Sequence, residues 1–144
     1  MRQRYSIPEG HAMLSAVPYL SLILAVLLAY WPRAVVGQAM NAMPGGYDNH
    51  HPREQQARLE GKGRRALAAH LNGMEALPVF GIAVLAAAQR HVSIGVQLVC
   101  CAIFVLARGV YILAYLNDKA SLRSGMFGLG MLVCFVLLGF AVFA

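Results

Sequence analysis

The sequence predicts an all-α protein, an integral membrane four-helix bundle, on three observations. Of its 144 residues, 59% are hydrophobic and 12% charged, about half the charged share of an ordinary soluble domain, roughly 25%. Four apolar runs are each long enough to cross a bilayer, which takes about 20 residues at a rise of ~1.5 Å. The links between the last three runs are short, so sequential neighbours must run antiparallel. A disordered chain is excluded, because such chains are polar and charge-rich. The length allows a single membrane domain over residues 1–144.

The first run, Ala12 to Trp31, carries no charge. Pro18 should loosen the helix within it, a distortion that bilayer helices tolerate. Tyr30 and Trp31 close it as interfacial aromatics do. Arg2 and Arg4 precede it and raise the alternative of a signal peptide. The run is too long for that, and no clear small-x-small cleavage site follows. A polar stretch over about 33–53 comes next, with Pro44-Gly45-Gly46 and His50-His51-Pro52 as turn signals. From Arg53 the chain is charged and helix-friendly, and a helix should begin there in water and enter the membrane near Ala66. Helices are therefore expected over about 12–31, 54–88, 92–116 and 122–144. Gly125, Gly128, Gly130 and Gly139 in the last can let helices approach closely.

The net charge of +6 is distributed unevenly. Arg33, Arg53, Arg58, Lys62, Arg64, Arg65, Lys119 and Arg123 fall on one side. Arg2, Arg4 and Arg90 fall on the other. The positive-inside rule then puts both charged loops in the cytoplasm and both termini outside. The basic excess reads as a topology signal, and no folded soluble face is left for nucleic acid. Cys100, Cys101 and Cys134 sit in apolar runs without metal-site spacing and read as reduced packing residues. Asp48, His50 and His51 read as solvated loop, since adjacent histidines point apart and no third imidazole is placed; no metal is expected.

Two charges lie where charge is expensive. Glu75 and Arg108 fall at similar depth on adjacent antiparallel segments, and a charge at the helix centre costs ~2.5–3.5 kcal/mol on insertion scales. The pair should touch or share a polar cavity. Arg65, Asn72 and Glu75 fall on one helical face, with Ala68 on the same face and His70 well off it. Arg108, Tyr111 and Tyr115 share a face of the next helix, and Arg123 follows at the mouth of the last. Cations, a carboxylate, an amide and two phenols suit a small, charged, peptide-like ligand whose carboxylates need arginine forks. The same residues also read as structural glue: an ion pair that fixes helix register, an asparagine that bridges helices, two core tyrosines.

The stretch His70-Leu71-Asn72-Gly73-Met74-Glu75-Ala76-Leu77-Pro78-Val79-Phe80 resembles the second-helix signature of the membrane-associated proteins in eicosanoid and glutathione metabolism, the MAPEG family. Its pattern is roughly Arg-x-x-x-Asn-x-x-Glu-x-x-Pro-x-Phe, often with His two before the Asn. Arg108-x-x-Tyr111-x-x-x-Tyr115 and then Arg123 form a second match, and Arg33 fits a family arginine after the first helix. The resemblance runs from about Tyr19 onward and looks most like a microsomal glutathione transferase. It implies a homotrimer with glutathione as co-substrate, bound between subunits in the cytoplasmic half. Carried over, Arg33, Arg65, Asn72, Glu75, Arg108, Tyr111 and Tyr115 would hold glutathione, and Arg123 would stabilise its thiolate. A lipophilic electrophile or hydroperoxide would arrive from the bilayer. One departure stands out: the family arginine four before the Asn is Ala68 here, and Arg65, one turn earlier, would have to substitute.

Three functions follow as expectations. The first is a glutathione-dependent transferase or peroxidase acting on lipophilic substrates. The second is a non-catalytic membrane protein of the same fold that binds lipid or a partner, because fold alone does not guarantee chemistry. The third is a small transporter or channel subunit gated by Glu75 and Arg108.

Overall fold

The computed structural model describes residues 9–144, with side chains from residue 14. Arg2 and Arg4 lie outside the described residues. Five helices follow in order: α1 (Glu9–Asn41), α2 (Pro52–Ala57), α3 (Gly61–Gln89), α4 (Ile94–Leu116) and α5 (Ala120–Phe143). Four of them are long and apolar enough to cross a membrane. Their outer surface confirms the medium. Leu106, Phe135 and Val142 are 69%, 61% and 70% exposed, whereas Gln97 and Arg108 are 6% and 5% exposed. Water would reverse that distribution; hydrocarbon favours it.

Two boundaries depart from the sequence expectation. The first helix does not stop at Trp31 but runs to Asn41. The reason lies in Val36 and Met40, one turn apart and fully buried against Leu59, Ala66 and Ile112. Residues 33–41 read as polar loop by composition, yet they carry an apolar stripe. The second helix is not continuous from 54. It breaks after Ala57, Leu59 turns into the core, and Gly61 restarts the helix at a positive φ of 50°.

The remaining loop marks one end of the bundle, the loop end, and is tied down by one side chain. The buried Gln55 amide donates to the carbonyls of Gly46 (2.7 Å) and Met40 (3.2 Å) and accepts from the Asp48 N–H (3.0 Å). The Asp48 carboxylate in turn accepts the backbone N–H groups of His50 and His51 at 2.8 and 3.0 Å. These bonds, the His51 one foremost, hold its carboxyl below the usual carboxylate range.

At the far end Ser93 caps α4, its hydroxyl accepting from Val96 N–H. His91 and Asp118 adopt left-handed φ values of 56° and 58° just past α3 and α4. Each is followed by a backbone bond that closes the helix, Val92 N–H to Ala87 and Lys119 N–H to Ala114. These tight ends fold α3, α4 and α5 back on one another. Arg90 donates to the carbonyls of Ala141 and Ala144 and so caps α5.

Two cores stack along the bundle. The far core centres on Phe80 and Phe104, stacked with centroids 3.8 Å apart, and includes the three buried, unbridged cysteines. The core at the loop end holds Val36, Met40, Tyr111 and Ile112. α1 and α3 come close at Gly63, where an added Cβ would lie 2.7 Å from the Ala39 Cβ, and backbone to backbone at Gly73, where it would lie 3.0 Å from the Ala29 Cα. Of the four α5 glycines, only Gly130 packs against other described residues, Phe104 and Arg108; Gly125, Gly128 and Gly139 meet none of them within 4 Å.

Gly73→Val should therefore force α1 and α3 apart and cost about 1–3 kcal/mol, seen as a lower Tm in detergent, while Gly95→Ala, at a helical position with no described residue within 4 Å of its Cβ, should leave Tm equal or slightly higher. For the loop, the lowered pKa of Asp48 means that its support is complete above the ordinary carboxylate range. That support fades as pH falls through the native value. Amide exchange at His50 and His51, corrected for intrinsic rates, should quicken on acidification, and Asp48→Ala should show the quickened exchange already at neutral pH.

Candidate functional site

Helical spacing sets the site. Asn72 and Glu75 lie three residues apart on α3, and Arg108, Tyr111 and Tyr115 line one face of α4. Arg108 is nearly fully buried. Its Nη1 donates to Asn72 Oδ1 at 3.0 Å, and Asn72 Nδ2 reaches Glu75 Oε2 at 3.5 Å. Of the two arrangements expected for Glu75 and Arg108, a contact or a shared polar cavity, the direct contact is absent among the described residues; Asn72 stands between them as a relay. The physical reason is length and direction. Glu75 points to the exposed side of α3, whereas Arg108 points into the bundle.

From Arg108 a row of charges and rings runs toward the loop end. The Arg108 guanidinium carbon lies 4.2 Å from the Tyr111 ring centroid. Tyr111 and Tyr115 meet edge to face at 5.6 Å, and Arg123 lies 4.6 Å from the Tyr115 ring. Cation–π contacts of this kind strengthen when water is excluded. So five of the sequence-derived residues, Asn72, Arg108, Tyr111, Tyr115 and Arg123, form one connected row, and Glu75 joins it through Asn72.

Arg65 stands at the mouth. It lines a cleft of about 270 Å³ with Arg64, Ala68, Tyr115 and Asp118. Its Nη1 lies 3.7 Å from Asp118 Oδ2, and its Nε is buried without a hydrogen-bond partner among the described residues. Ala68 contributes only a methyl group, which leaves this space open. Arg33 makes no hydrogen bond or ion pair with the other site residues and is half-buried on α1. Within one chain, then, the site is a row with an open cleft at one end and an uncovered carboxylate on its flank.

One participant escaped the sequence reading, and a second was noted there without its partner. Asp118 engages Arg65, and the signal was available: it is the one acid in a loop otherwise holding Lys119 and Arg123. His70, off the polar face, packs at a tilt of 58° against Tyr30 with centroids 5.4 Å apart, and its Nδ1 lies 2.8 Å from the Ala29 carbonyl. That carbonyl sits three residues before Pro32, where the helix ladder of α1 is disturbed. Pattern alone gives no hint of that partner, because it lies on another helix.

An all-helical, four-span membrane protein with a polar row buried in its interior defines a narrow class. The MAPEG family model matches residues 17–143, nearly the whole chain, and the chain belongs to that family. No curated protein and no solved structure matches it.

Asn72→Leu should remove the one hydrogen bond that the buried Arg108 makes to another described residue and lower stability by about 1.5–3 kcal/mol, the worth of a bond to a charged group. Asn72→Asp keeps an acceptor in place and should lose much less. Thermal unfolding of the two variants in the same detergent separates them.

Proposed function

We propose that the protein is a membrane-embedded, glutathione-dependent transferase or peroxidase that acts on lipophilic electrophiles or hydroperoxides. The observation that carries this reading is the unbroken row from Asn72 through Arg108, Tyr111 and Tyr115 to Arg123. Those are residues the family uses on its thiol substrate, and here they are in mutual contact. Arginines supply forks for the two carboxylates of glutathione and Glu75 a partner for its amine. Arg123 is assigned the thiolate. A nearby guanidinium favours the charged sulfur, and the thiolate is the nucleophile. In transfer, a sulfur–carbon bond forms as the electrophile's leaving group departs or its π-bond takes up a proton. In peroxide reduction, two thiols give one disulfide while the hydroperoxide becomes an alcohol and water.

The site is assigned to the cytoplasmic side by the charge of the loops, with both termini opposite. A homotrimer is proposed for a physical reason as well as by family. Glu75 is exposed on the isolated chain within a membrane helix, a placement that hydrocarbon penalises. A neighbouring copy that covers it, with Arg33 as an available cation, removes the penalty and completes the ligand cage. Arg65 takes the part of the family arginine missing at Ala68, since both line the same cleft.

The second reading, a non-catalytic lipid- or partner-binding protein, draws on Ala68 itself. The two diverge on Arg123. Titration of the purified protein with glutathione should raise thiolate absorbance at neutral pH, and Arg123→Ala should reduce that signal and turnover of a lipophilic electrophile at least tenfold while leaving Tm nearly unchanged. If millimolar glutathione raises no thiolate signal with the intact protein, the second reading takes over.

A further inference from the structure

We infer that a small void beside Arg108 is the site of one buried water molecule, which joins the arginine to the proline kink of α1. Three observations meet there. Arg108 Nη1 is committed to Asn72 and the guanidinium face to Tyr111, but Nη2 is fully buried without a hydrogen-bond partner among the described residues. Arg108 borders a void of about 10 Å³ together with Ala25, Leu28, Ala29, Gly73 and Phe104. Pro32 lies inside α1, and it has no N–H to give the carbonyl four residues earlier, that of Leu28. The neighbouring Ala29 carbonyl is served from α3 by His70 at 2.8 Å. A residue with an orphan donor and a residue whose carbonyl has lost its helix donor to proline thus border the same space.

The chemistry of the two orphans selects the occupant. Nη2 needs an acceptor and the Leu28 carbonyl needs a donor. An anion would satisfy the arginine and be repelled by the carbonyl; a cation would do the reverse. A molecule with a single heavy atom that both donates and accepts answers both, and the void matches the ~10–15 Å³ that one water requires. Ordered water is also a recognised way to satisfy backbone groups freed by proline in bilayer helices. Pro32 becomes a positioning residue: through the water, the kink of α1 fixes which way the second amino group of Arg108 points. The inference stands apart from the thiol chemistry proposed above and holds whether or not glutathione binds.

The test uses the protein in lipid bilayers, labelled with nitrogen-15 arginine, and water-selective magnetisation transfer in solid-state NMR. The Arg108 signals are identified by their loss in Arg108→Gln. The Nη2 resonance should receive magnetisation from water despite its burial. In Pro32→Ala an N–H is restored to Leu28, and the transfer should fall at least threefold while the Nη1 resonance keeps its shift. No transfer in the unaltered protein would show a dry void. Transfer unchanged in Pro32→Ala would show that the water has no tie to the kink. Either result overturns the proposal. An independent check needs no variant: a high-resolution density map should show one solvent peak within about 2.7–3.2 Å of both Nη2 and the Leu28 oxygen, and a direct bond from Nη2 to a protein acceptor would refute it.

Discussion

The bundle is organised around a guanidinium held inside a membrane protein. A charge at such a position is tolerated only if every face of it meets something polar or polarisable. Asn72 takes one edge of Arg108 and the Tyr111 ring takes its flat face. Both partners must be fixed before the arginine can be buried, and this dictates the packing of three helices. α3 must present Asn72, α4 must keep Tyr111 one turn beyond Arg108, and α5 must bring Gly130 alongside the arginine stem, whose Cδ would sit 3.9 Å from a Cβ there, at ordinary contact distance. A side chain longer than that of alanine at Gly130 would press on the charge as well as on Phe104.

Close approach of α1 and α3 serves the same end. Gly73 lies between Asn72 and the Ala76–Phe80 core face, and its missing side chain lets the Ala29 backbone come against α3. Once there, the disturbed carbonyls around Pro32 lie within reach of side chains from other helices, and His70 takes one of them. The glycine and the proline act together. One admits the neighbouring backbone, and the other leaves that backbone with bonding capacity to spare.

Much of this was legible in the sequence. The four spans followed from run length and charge scarcity, and the face shared by Asn72 and Glu75, like that shared by Arg108, Tyr111 and Tyr115, followed from helical spacing. What composition obscured was the extension of α1 to Asn41, because Val36 and Met40 are an apolar stripe among polar neighbours. The break at Arg58–Glu60 was hidden too, since it depends on Leu59 finding a place in the core. Depth alone leaves open whether Glu75 and Arg108 touch or share a polar cavity, because depth is one coordinate. The rotation of each helix decides which groups meet, and it placed Asn72 in between. Asp118 and His70 act through partners distant in the chain, and periodicity along one helix carries no information about those.

The Arg65–Asp118 pair has a consequence for any acidic guest. Asp118 sits on a left-handed corner that holds its carboxylate near the cleft mouth, 3.7 Å from the arginine, and it is a permanently tethered rival. A newcomer's carboxylate must win an exchange rather than fill an idle position. Because exposed ion pairs are worth about 0–1 kcal/mol, the handicap is at most about fivefold in affinity. Upon departure of the guest the rival returns at once. Such a corner favours quick turnover of occupants over tight retention.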